Sequence, residues 1–267
     1  GTIKNSVKLH DGLFVESVLI PSKKRSTACV SSQVGCSLNC KFCATSKIKR
    51  LRNLNMDEIF DQVILMDKQS RTNFNRSISN IVFMGMGEPL MNYKNMIAAI
   101  KKITQYRKFG ISSRRITIST SGIPKMIMKL ADEDFNFKLA LSLHSANQST
   151  REKIMPFTKN FPISDLLESL NYWYTKTNRI ITLEYIVWDN INDKLSDIND
   201  LINFCKKIPS KVNLIQYNSI GDDYFKGANI EIINKYQSEL LKHGVNSTFR
   251  RSRGLDIDAA CGQLANK

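Results

Sequence analysis

Three closely spaced cysteines constrain this chain more than any other feature of its sequence. Cys36, Cys40 and Cys43 lie in the stretch GCSLNCKFCA at residues 35–44, with the spacing C-x3-C-x2-C. Thiolates at this spacing fit one face of a tight loop, and iron–sulfur clusters bind thiolates well. A cubane cluster normally takes four cysteines, so three leave one iron open for another ligand. The alternative is a zinc loop, but zinc sites usually have four ligands in paired sets, and no histidine follows at a suitable spacing.

Length and composition restrict the class of protein. The chain has 267 residues, of which 42% are hydrophobic and 24% charged, as expected for a globular protein with one large domain or two small ones. No apolar run approaches membrane-spanning length, and residues 1–20 lack a signal-peptide pattern, which predicts a cytoplasmic protein without a membrane partner. In a reducing compartment the other cysteines, Cys29, Cys205 and Cys261, are expected to be thiols or catalytic groups.

The net charge indicates the kind of partner. Lysine and arginine exceed aspartate and glutamate by 15. Such an excess in a cluster-containing protein favours a polyanionic partner, most simply a nucleic acid. A generally basic proteome would give the same excess, so charge alone does not decide between the two.

The first segment and the region after it differ in pattern. Residues 6–20 alternate around a turn at Asp11 and Gly12, which predicts a β-hairpin. Residues 27–33 are predicted to form the strand that leads into the cysteine loop. A helix is predicted over residues 56–68, with Asn55 as its cap. The simplest division is a hairpin extension at residues 1–25 and a catalytic domain at residues 26–267.

Strands and helices alternate in the rest of the chain. Strands are predicted at residues 80–84, 115–120, 138–143, 181–187, 211–217 and 246–251, and helices at residues 95–105, 124–131, 163–176, 196–207 and 230–242. This alternation is typical of a parallel sheet with helices packed outside it. Six such units predict an α/β fold, an incomplete TIM-like (β/α)6 barrel, in which the active groups follow the carboxyl ends of the strands.

Several predicted strands are followed by residues suited to ligand binding. In GMGEPL at residues 85–90, the glycines let the backbone approach a ligand and Glu88 can accept hydrogen bonds from an ammonium group. STSG at residues 119–122 and SLHS at residues 142–145 supply hydroxyl groups, and Asn218 suits ribose or adenine edges. The predicted pocket residues are Gly87, Glu88, Ser119, Ser142, Leu143, His144 and Asn218.

The cysteine loop, with Phe42 before its last cysteine, resembles that of the radical SAM superfamily. In that superfamily the amino and carboxylate groups of S-adenosylmethionine (SAM) chelate the open iron. The segment at residues 85–90 matches the superfamily motif for the SAM amino group. The resemblance therefore implies a [4Fe-4S] cluster bound by Cys36, Cys40 and Cys43, with SAM in the pocket formed by the strand ends.

Three segments together resemble one branch of that superfamily. They are ACVSSQVGC at residues 28–36, GMGEPL at residues 85–90 and DIDAACGQL at residues 256–264. The chain is similar in these segments to the RlmN/Cfr adenine methyltransferases, which act on 23S ribosomal RNA and, in the RlmN branch, also on transfer RNA. RlmN enzymes methylate adenine at C2 and Cfr enzymes at C8. GEPL at residues 87–90 and STSG at residues 119–122 are more similar to RlmN.

Two departures from the family accompany this resemblance. Relatives usually carry a helical accessory domain before the hairpin, used in RNA contact, and this sequence begins without one. We therefore expect weaker RNA docking than in a relative that has the domain. Ser46 replaces a usual glycine, and KIKR at residues 47–50 replaces a glycine-containing turn, which is expected to change the loop and its RNA contacts but not the cluster ligands.

The resemblance also implies a mechanism. Adenine C2 is not nucleophilic, so Cys261 takes a methyl group from one SAM, and a radical made from a second SAM removes hydrogen from that methyl. The activated carbon adds to adenine, Glu16 accepts the ring proton, and Cys29 attacks the Cys261 sulfur. Methylated RNA is then released and a Cys29–Cys261 disulfide remains to be reduced. The spacing in the helical pattern around Cys205 indicates only core packing.

Basic residues near both ends of the predicted pocket are the expected RNA contacts. They are Lys47, Lys49, Arg50 and Arg52 beside the cysteine loop, and Arg250, Arg251 and Arg253 before the last cysteine segment. The resemblance further implies an electron donor such as flavodoxin or ferredoxin, and we expect a monomer. Three functions stay open: C2 methylation of RNA adenine, a Cfr-like C8 methylation or another substrate, and a non-catalytic iron–sulfur RNA-binding protein. Retention of both Cys29 and Cys261 speaks against the last.

Overall fold

Eleven strands and seven α-helices form within residues 1–221 and 224–265, the part of the chain that the computed structural model describes. The strands are β1 (Ile3–Lys8), β2 (Phe14–Pro21), β3 (Ser26–Cys29), β4 (Gln33–Val34), β5 (Arg52–Asn53), β6 (Asn80–Phe83), β7 (Ile116–Thr120), β8 (Lys138–Ser142), β9 (Ile181–Ile186), β10 (Ser210–Ile215) and β11 (Ser247–Arg250). The helices are α1 (Met56–Phe74), α2 (Tyr93–Gln105), α3 (Pro124–Ala131), α4 (Gln148–Ile154), α5 (Ile163–Thr177), α6 (Leu195–Cys205) and α7 (Ile230–Lys242). No described helix is long and apolar enough to cross a membrane.

Nine of the strands form one sheet in the order β1-β2-β3-β6-β7-β8-β9-β10-β11. All neighbours from β3 to β11 are parallel, and a helix lies between each parallel strand and the next. Six strand–helix units followed by β11 confirm the predicted partial (β/α)6 barrel. The short strands β4 and β5 pair separately on either side of the cysteine loop.

The two faces of the sheet have different roles, as β9 shows. Its residues Ile181, Leu183 and Tyr185 are buried in the main core. The alternating residues Glu184 and Ile186 line a cavity on the inner face. Because successive strand side chains point to opposite faces, one strand packs against the helices and also supplies the site. Full burial of an apolar side chain contributes about 1.5–3 kcal/mol, so the outer face supplies much of the stability.

The helix predicted at residues 56–68 forms and extends further, to Phe74. Its start is a capping box, in which Asn55 Oδ1 accepts from Glu58 N at 2.8 Å and Glu58 Oε2 accepts from Asn55 N at 2.9 Å. The last turns, residues 69–74, are mostly polar, so the sequence shows no helical repeat of apolar residues there from which the extension could be predicted. These turns are held by tertiary contacts, including the hydrogen bonds from Gln69 Nε2 to Asn5 Oδ1 at 2.6 Å and from Arg71 Nη2 to Lys108 O at 3.2 Å.

The predicted hairpin also forms, and it continues the barrel sheet. β1 and β2 pair antiparallel, and β2 pairs antiparallel with β3, which places Val18 opposite Cys29. The hairpin is thus an edge of the same sheet that carries the site. Val18 and Ile20 of β2 line the cavity directly.

Candidate active site

Most of the predicted site residues meet at one cavity of about 740 Å³. It is lined by Cys29, Cys36, Cys40, Cys43, Gly87, Glu88, Ser119, Ser142, His144 and Cys261, among others. They come from strand ends, the cysteine loop and the C-terminal segment. As expected for a barrel of this kind, the carboxyl ends of the parallel strands converge on one site.

The cysteine loop is held in place by backbone contacts. Gly35 has φ +76°, and a Cβ there would lie 2.4 Å from Lys49 O, so only glycine fits. Cys36 N donates to Ile48 O at 3.2 Å, and Cys43 N donates to Cys40 O at 3.2 Å. These bonds close the loop at both ends and keep its three thiols on the cavity wall.

The three loop thiols are the candidate ligands of a cluster. Among the described residues, no three His, Cys, Asp or Glu side chains are close enough to share one metal ion. Each cysteine of a cubane cluster binds a different iron, so its thiols stand further apart than the ligands of one zinc ion. Burial raises the pKa of Cys36 to about 11 and also raises the pKa of Cys40 well above its ordinary value, and iron binding would favour their thiolates.

Glu88 and Gly87 form a tight turn against the cysteine-loop strand. Glu88 is buried, with Oε2 accepting from Ser121 N at 2.8 Å and Oε1 accepting from Leu90 N at 3.1 Å. Its own N–H donates to Gln33 Oε1 at 2.8 Å. Burial raises the pKa of the Glu88 carboxyl, while these N–H donors oppose the rise. The carboxylate is fixed in orientation and retains lone pairs that can accept from an ammonium group.

Replacing Gly87 by alanine is expected to lower the free energy of unfolding by about 2–4 kcal/mol. Gly87 has φ +92°, and an added Cβ would lie 2.5 Å from Gln33 Cβ. Gln33 cannot yield easily because its amide also donates to Asn53 Oδ1 at 2.8 Å. Urea unfolding measures the change.

Gly12→Ala is the matched control for this prediction. Gly12 also has a positive φ, +82°, but no described heavy atom lies within 4 Å of an added Cβ. We expect a loss of only about 1 kcal/mol there, from backbone strain alone. Equal losses at the two positions would contradict the argument from the contact with Gln33.

His144 lies between the cysteine loop and β9. Its ring is 4.8 Å from the ring of Phe42, and its Nδ1 accepts from Ile186 N at 3.2 Å. Burial lowers the pKa of His144 to about 3, so the ring is neutral at physiological pH. The Phe42 ring also contacts Trp188 at 5.0 Å, which fixes the aromatic residue that precedes Cys43. His144 is therefore placed to pack and accept hydrogen bonds, not to carry charge.

Three predicted site residues do not line the cavity. The Leu143 side chain lies in the main core, and only its backbone is at the strand end, where its oxygen accepts from Arg151 Nε at 3.2 Å. Asn218 instead holds the C-terminal segment, since its Nδ2 donates to Cys261 O at 3.0 Å. Its buried Oδ1 has no hydrogen-bond partner among the described residues.

Glu16 is the third, and its position differs from the expectation. Its carboxylate is fully buried, paired with Lys4 Nζ at 2.8 Å and accepting from Ala265 N at 2.8 Å. These contacts link β1, β2 and the end of the described chain. In this arrangement Glu16 holds the hairpin and the C-terminal segment together beside the cavity.

The C-terminal segment packs onto the cysteine loop. Ala44 N donates to Gly262 O at 2.7 Å, and Thr45 Oγ1 donates to Leu264 O at 2.6 Å. Cys261 has exposed surface, but the surrounding chain desolvates its thiol and raises its pKa. All six cysteines are free thiols, so a Cys29–Cys261 disulfide is not a feature of this structure. Ser46, a departure from the family pattern, also lines the cavity.

The structure reassigns two of the basic residues predicted to contact RNA. Arg52 is held by acidic neighbours, with Nε donating to Asp11 Oδ2 at 2.6 Å and Nη1 donating to Glu58 Oε2 at 2.8 Å. Arg253 donates to Pro21 O and ties the C-terminal segment to β2. Both side chains therefore have structural partners.

Sequence reasoning missed Glu184, which lines the cavity. Burial raises the pKa of its carboxyl, and the positive charge of Arg250 opposes that rise. The available signal for Glu184 was a single acidic residue in the largely apolar strand at residues 181–187. Arg250 was predicted only as an RNA contact beside the pocket, and the structure places it at the end of β11, where it lines the cavity.

Comparison with known proteins places the chain in a family. The family model described as the Radical SAM superfamily matches residues 30–205 of the chain. The chain is 63% identical over its whole length to a probable dual-specificity RNA methyltransferase RlmN of Christiangramia forsetii, covering 76% of that protein. It is 60% identical to the protein of the same description from Flavobacterium psychrophilum, covering 77% of it. The chain belongs to the RlmN family.

A solved structure agrees with this assignment. A radical SAM methyltransferase from Sphaerobacter thermophilus superimposes on the whole chain with a TM-score of 0.97 at 37% identity, and 78% of that protein is covered. As an RlmN-family member, the chain is a SAM-dependent radical RNA methyltransferase, which confirms the resemblance seen in the sequence. The family implies a [4Fe-4S] cluster and SAM as cofactors and RNA as substrate.

Proposed function

We propose that this RlmN-family enzyme methylates C2 of adenine in 23S ribosomal RNA and in transfer RNA, through a methylated Cys261. The observation that carries the proposal is the meeting of Cys29 and Cys261 with the three loop cysteines at one cavity. An RNA-binding protein needs neither isolated thiol. Relatives described as dual-specificity RNA methyltransferases support two RNA substrates, and GEPL at residues 87–90 supports C2 over C8.

The residues that would hold the cofactors are those at the cavity wall. Cys36, Cys40 and Cys43 are the proposed cluster ligands. The proposed SAM contacts are Gly87, Glu88, Ser119, Ser142, His144 and the Leu143 backbone. Asn218 instead donates a hydrogen bond to the backbone of Cys261. A reduced cluster bound there would supply the electron for reductive cleavage of one SAM molecule, and a second SAM would donate the methyl group to Cys261, which makes two SAM molecules per turnover.

The chain's own groups perform the remaining steps. The Cys261 sulfur accepts the methyl group by displacement. The hydrogen bond from Asn218 Nδ2 to the backbone oxygen of Cys261 fixes the segment that carries this sulfur. Cys29 releases the product by attacking the Cys261 sulfur, which forms a transient disulfide. Glu16 is the proposed acceptor of the ring proton. Its carboxylate is paired with Lys4, so accepting a proton requires that pair to open.

Partners and location complete the proposal. A flavodoxin or ferredoxin is the proposed source of electrons, because the cluster chemistry consumes one electron at a time. We propose that the enzyme acts as a monomer in the cytoplasm.

Anaerobic reconstitution with SAM and RNA tests the proposed position of methylation. Digestion to nucleosides and mass spectrometry separate 2-methyladenosine from 8-methyladenosine. We expect the 2-methyl product from both ribosomal and transfer RNA. The 8-methyl product would show Cfr-like chemistry, and loss of SAM without RNA methylation would reject RNA adenine as the substrate.

RNA affinity is expected to fall by about tenfold or more when salt rises from 50 to 200 mM. The net charge of +15 implies that several phosphates are neutralised and their counterions released. Fluorescence anisotropy with a labelled RNA hairpin gives the slope. A flat response would mean that the basic residues serve solubility.

A further inference from the structure

Arg250 lies inside the site, beside the two isolated thiols. It ends β11, and its side chain lines the same cavity as Cys29 and Cys261. The pKa of Arg250 is raised by its electrostatic interaction with Cys261, Glu184 and Cys29 in their ionised forms. This position is not that of an exposed phosphate contact. It places a permanent positive charge in the cavity that Cys29 and Cys261 also line.

A row of hydrogen bonds across three strands fixes the carboxylate of Glu184, which lines the same cavity as Arg250. Thr248 Oγ1 of β11 donates to Asn213 Oδ1 of β10 at 2.8 Å, and Asn213 Nδ2 donates to Glu184 Oε1 of β9 at 3.1 Å. Thr248 and Arg250 share one face of β11, because they are two residues apart. The other carboxylate oxygen, Glu184 Oε2, is buried and has no hydrogen-bond partner among the described residues. The carboxylate therefore acts on the Arg250 guanidinium by charge across the cavity and not through a direct ion pair.

Cys29 is the buried thiol on which such a charge would act in the mechanism. It is only 6% exposed, and burial raises the pKa of its thiol to about 12, with the neighbouring Cys261 adding to the rise. Arg250 opposes the rise, as does a hydrogen bond from the Met84 backbone. A buried thiol in apolar surroundings is unreactive, whereas an adjacent guanidinium favours the nucleophilic thiolate.

We propose that Arg250 is the positioning residue that makes Cys29 a nucleophile, and that Glu184 holds Arg250 in place. The proposal rests on the proposed function, in which Cys29 resolves the protein–RNA adduct. In that step the Cys29 sulfur bonds to the Cys261 sulfur, and the bond from the Cys261 sulfur to the methylene carbon breaks. The electron pair of the broken carbon–sulfur bond stays on the carbon, and the carbon then takes up one proton. This uptake balances the proton that the Cys29 thiol lost. The two sulfurs are oxidised to a disulfide and the carbon is reduced to a methyl group.

Alkylation of Cys29 measures its activation directly. The full chain with Cys261→Ala removes the competing thiol, and iodoacetamide labelling of the Cys29 peptide is followed by mass spectrometry from pH 7 to 10. Adding Arg250→Met is expected to slow labelling at pH 8 by about tenfold or more, since an opposite charge nearby shifts a pKa by 1–3 units. Arg250→Lys should keep most of the rate.

Two further variants protect this measurement. Arg107→Gln removes an exposed arginine outside the cavity and should leave Cys29 labelling unchanged. Arg250→Gln replaces the methionine variant if that protein does not fold. Equal labelling rates with and without the Arg250 charge would overturn the proposal.

The amount of protein–RNA adduct in the variants shows whether a negative result contradicts the role of Arg250 or the proposed function itself. With Cys261 present, Arg250→Met should accumulate more protein–RNA adduct per methylated Cys261 than the unmodified enzyme, and Cys29→Ala should accumulate the most. If Cys29→Ala forms no adduct, the proposed function fails. If Cys29→Ala forms it and Arg250→Met resolves it at the normal rate, only the role of Arg250 fails.

Discussion

Replacing Cys29 by alanine is expected to trap the enzyme in a covalent complex with its RNA. Cys261 can still be methylated and its methyl carbon can still bond to adenine, because Cys261 is the only one of the two isolated thiols that takes part in these steps. No thiolate then breaks the carbon–sulfur bond. Methylated RNA should fall below detection. A denaturing gel should show a nuclease-sensitive shift that survives thiol reductant, because the link is a thioether.

Two other cysteine-to-alanine variants serve as controls for the Cys29→Ala result. Cys261→Ala should give neither methylated protein nor adduct, while SAM is still cleaved unproductively. Cys205→Ala should behave as the unmodified enzyme, because Cys205 is a buried core residue of α6 away from the cavity. Normal turnover of Cys29→Ala without adduct would show that this protein uses another mechanism, whatever its family.

Loss of the three loop thiols together is expected to abolish cluster binding. The variant Cys36→Ala/Cys40→Ala/Cys43→Ala removes every cysteine on the loop wall of the cavity. Iron and sulfide after anaerobic reconstitution should drop to background, together with the visible absorption of the cluster. Activity should vanish, since SAM is no longer cleaved.

The remaining cysteines provide the control for cluster binding. A variant lacking Cys29, Cys205 and Cys261 also loses three thiols, but it should bind a full complement of iron. If the loop variant retained the cluster, or if this control lost it, the assignment of the ligands would be wrong.

The sequence predicted most of the fold because its elements carry strong local signals. α3 and α7 begin and end at the predicted residues, where a proline or an asparagine cap opens an amphipathic period. β3 ends at Cys29, earlier than predicted, because the following residues bond to the chain after β6, as in Gly85 N to Val30 O at 3.0 Å. α4 was missed, although Asn147 caps it through Thr150 N at 3.1 Å. A helix of one or two turns is too short for a repeat of apolar residues to be recognised in its sequence.

The site was less predictable where a residue's role depends on several strands at once. The motif residues of the cysteine loop and of residues 85–90 were found because their chemistry and spacing are local. The roles of Glu184 and Arg250 depend on β9, β10 and β11 lying side by side in one register. Glu16 was assigned by resemblance alone, and its contacts with Lys4 and Ala265 are set by chain segments that have no local pattern in common.

The contact between Glu16 and Ala265 has a consequence for how the enzyme is made. Domains fold progressively as the chain leaves the ribosome, N-terminal part first. The cysteine loop leaves the ribosome well before residues 261–265, which cover it, because Thr45 and Leu264, which bond to each other there, lie 219 positions apart. The loop therefore stays uncovered until those later residues have been made. The carboxylate of Glu16 likewise gains its bond from Ala265 N only after both the hairpin and the loop have been synthesised.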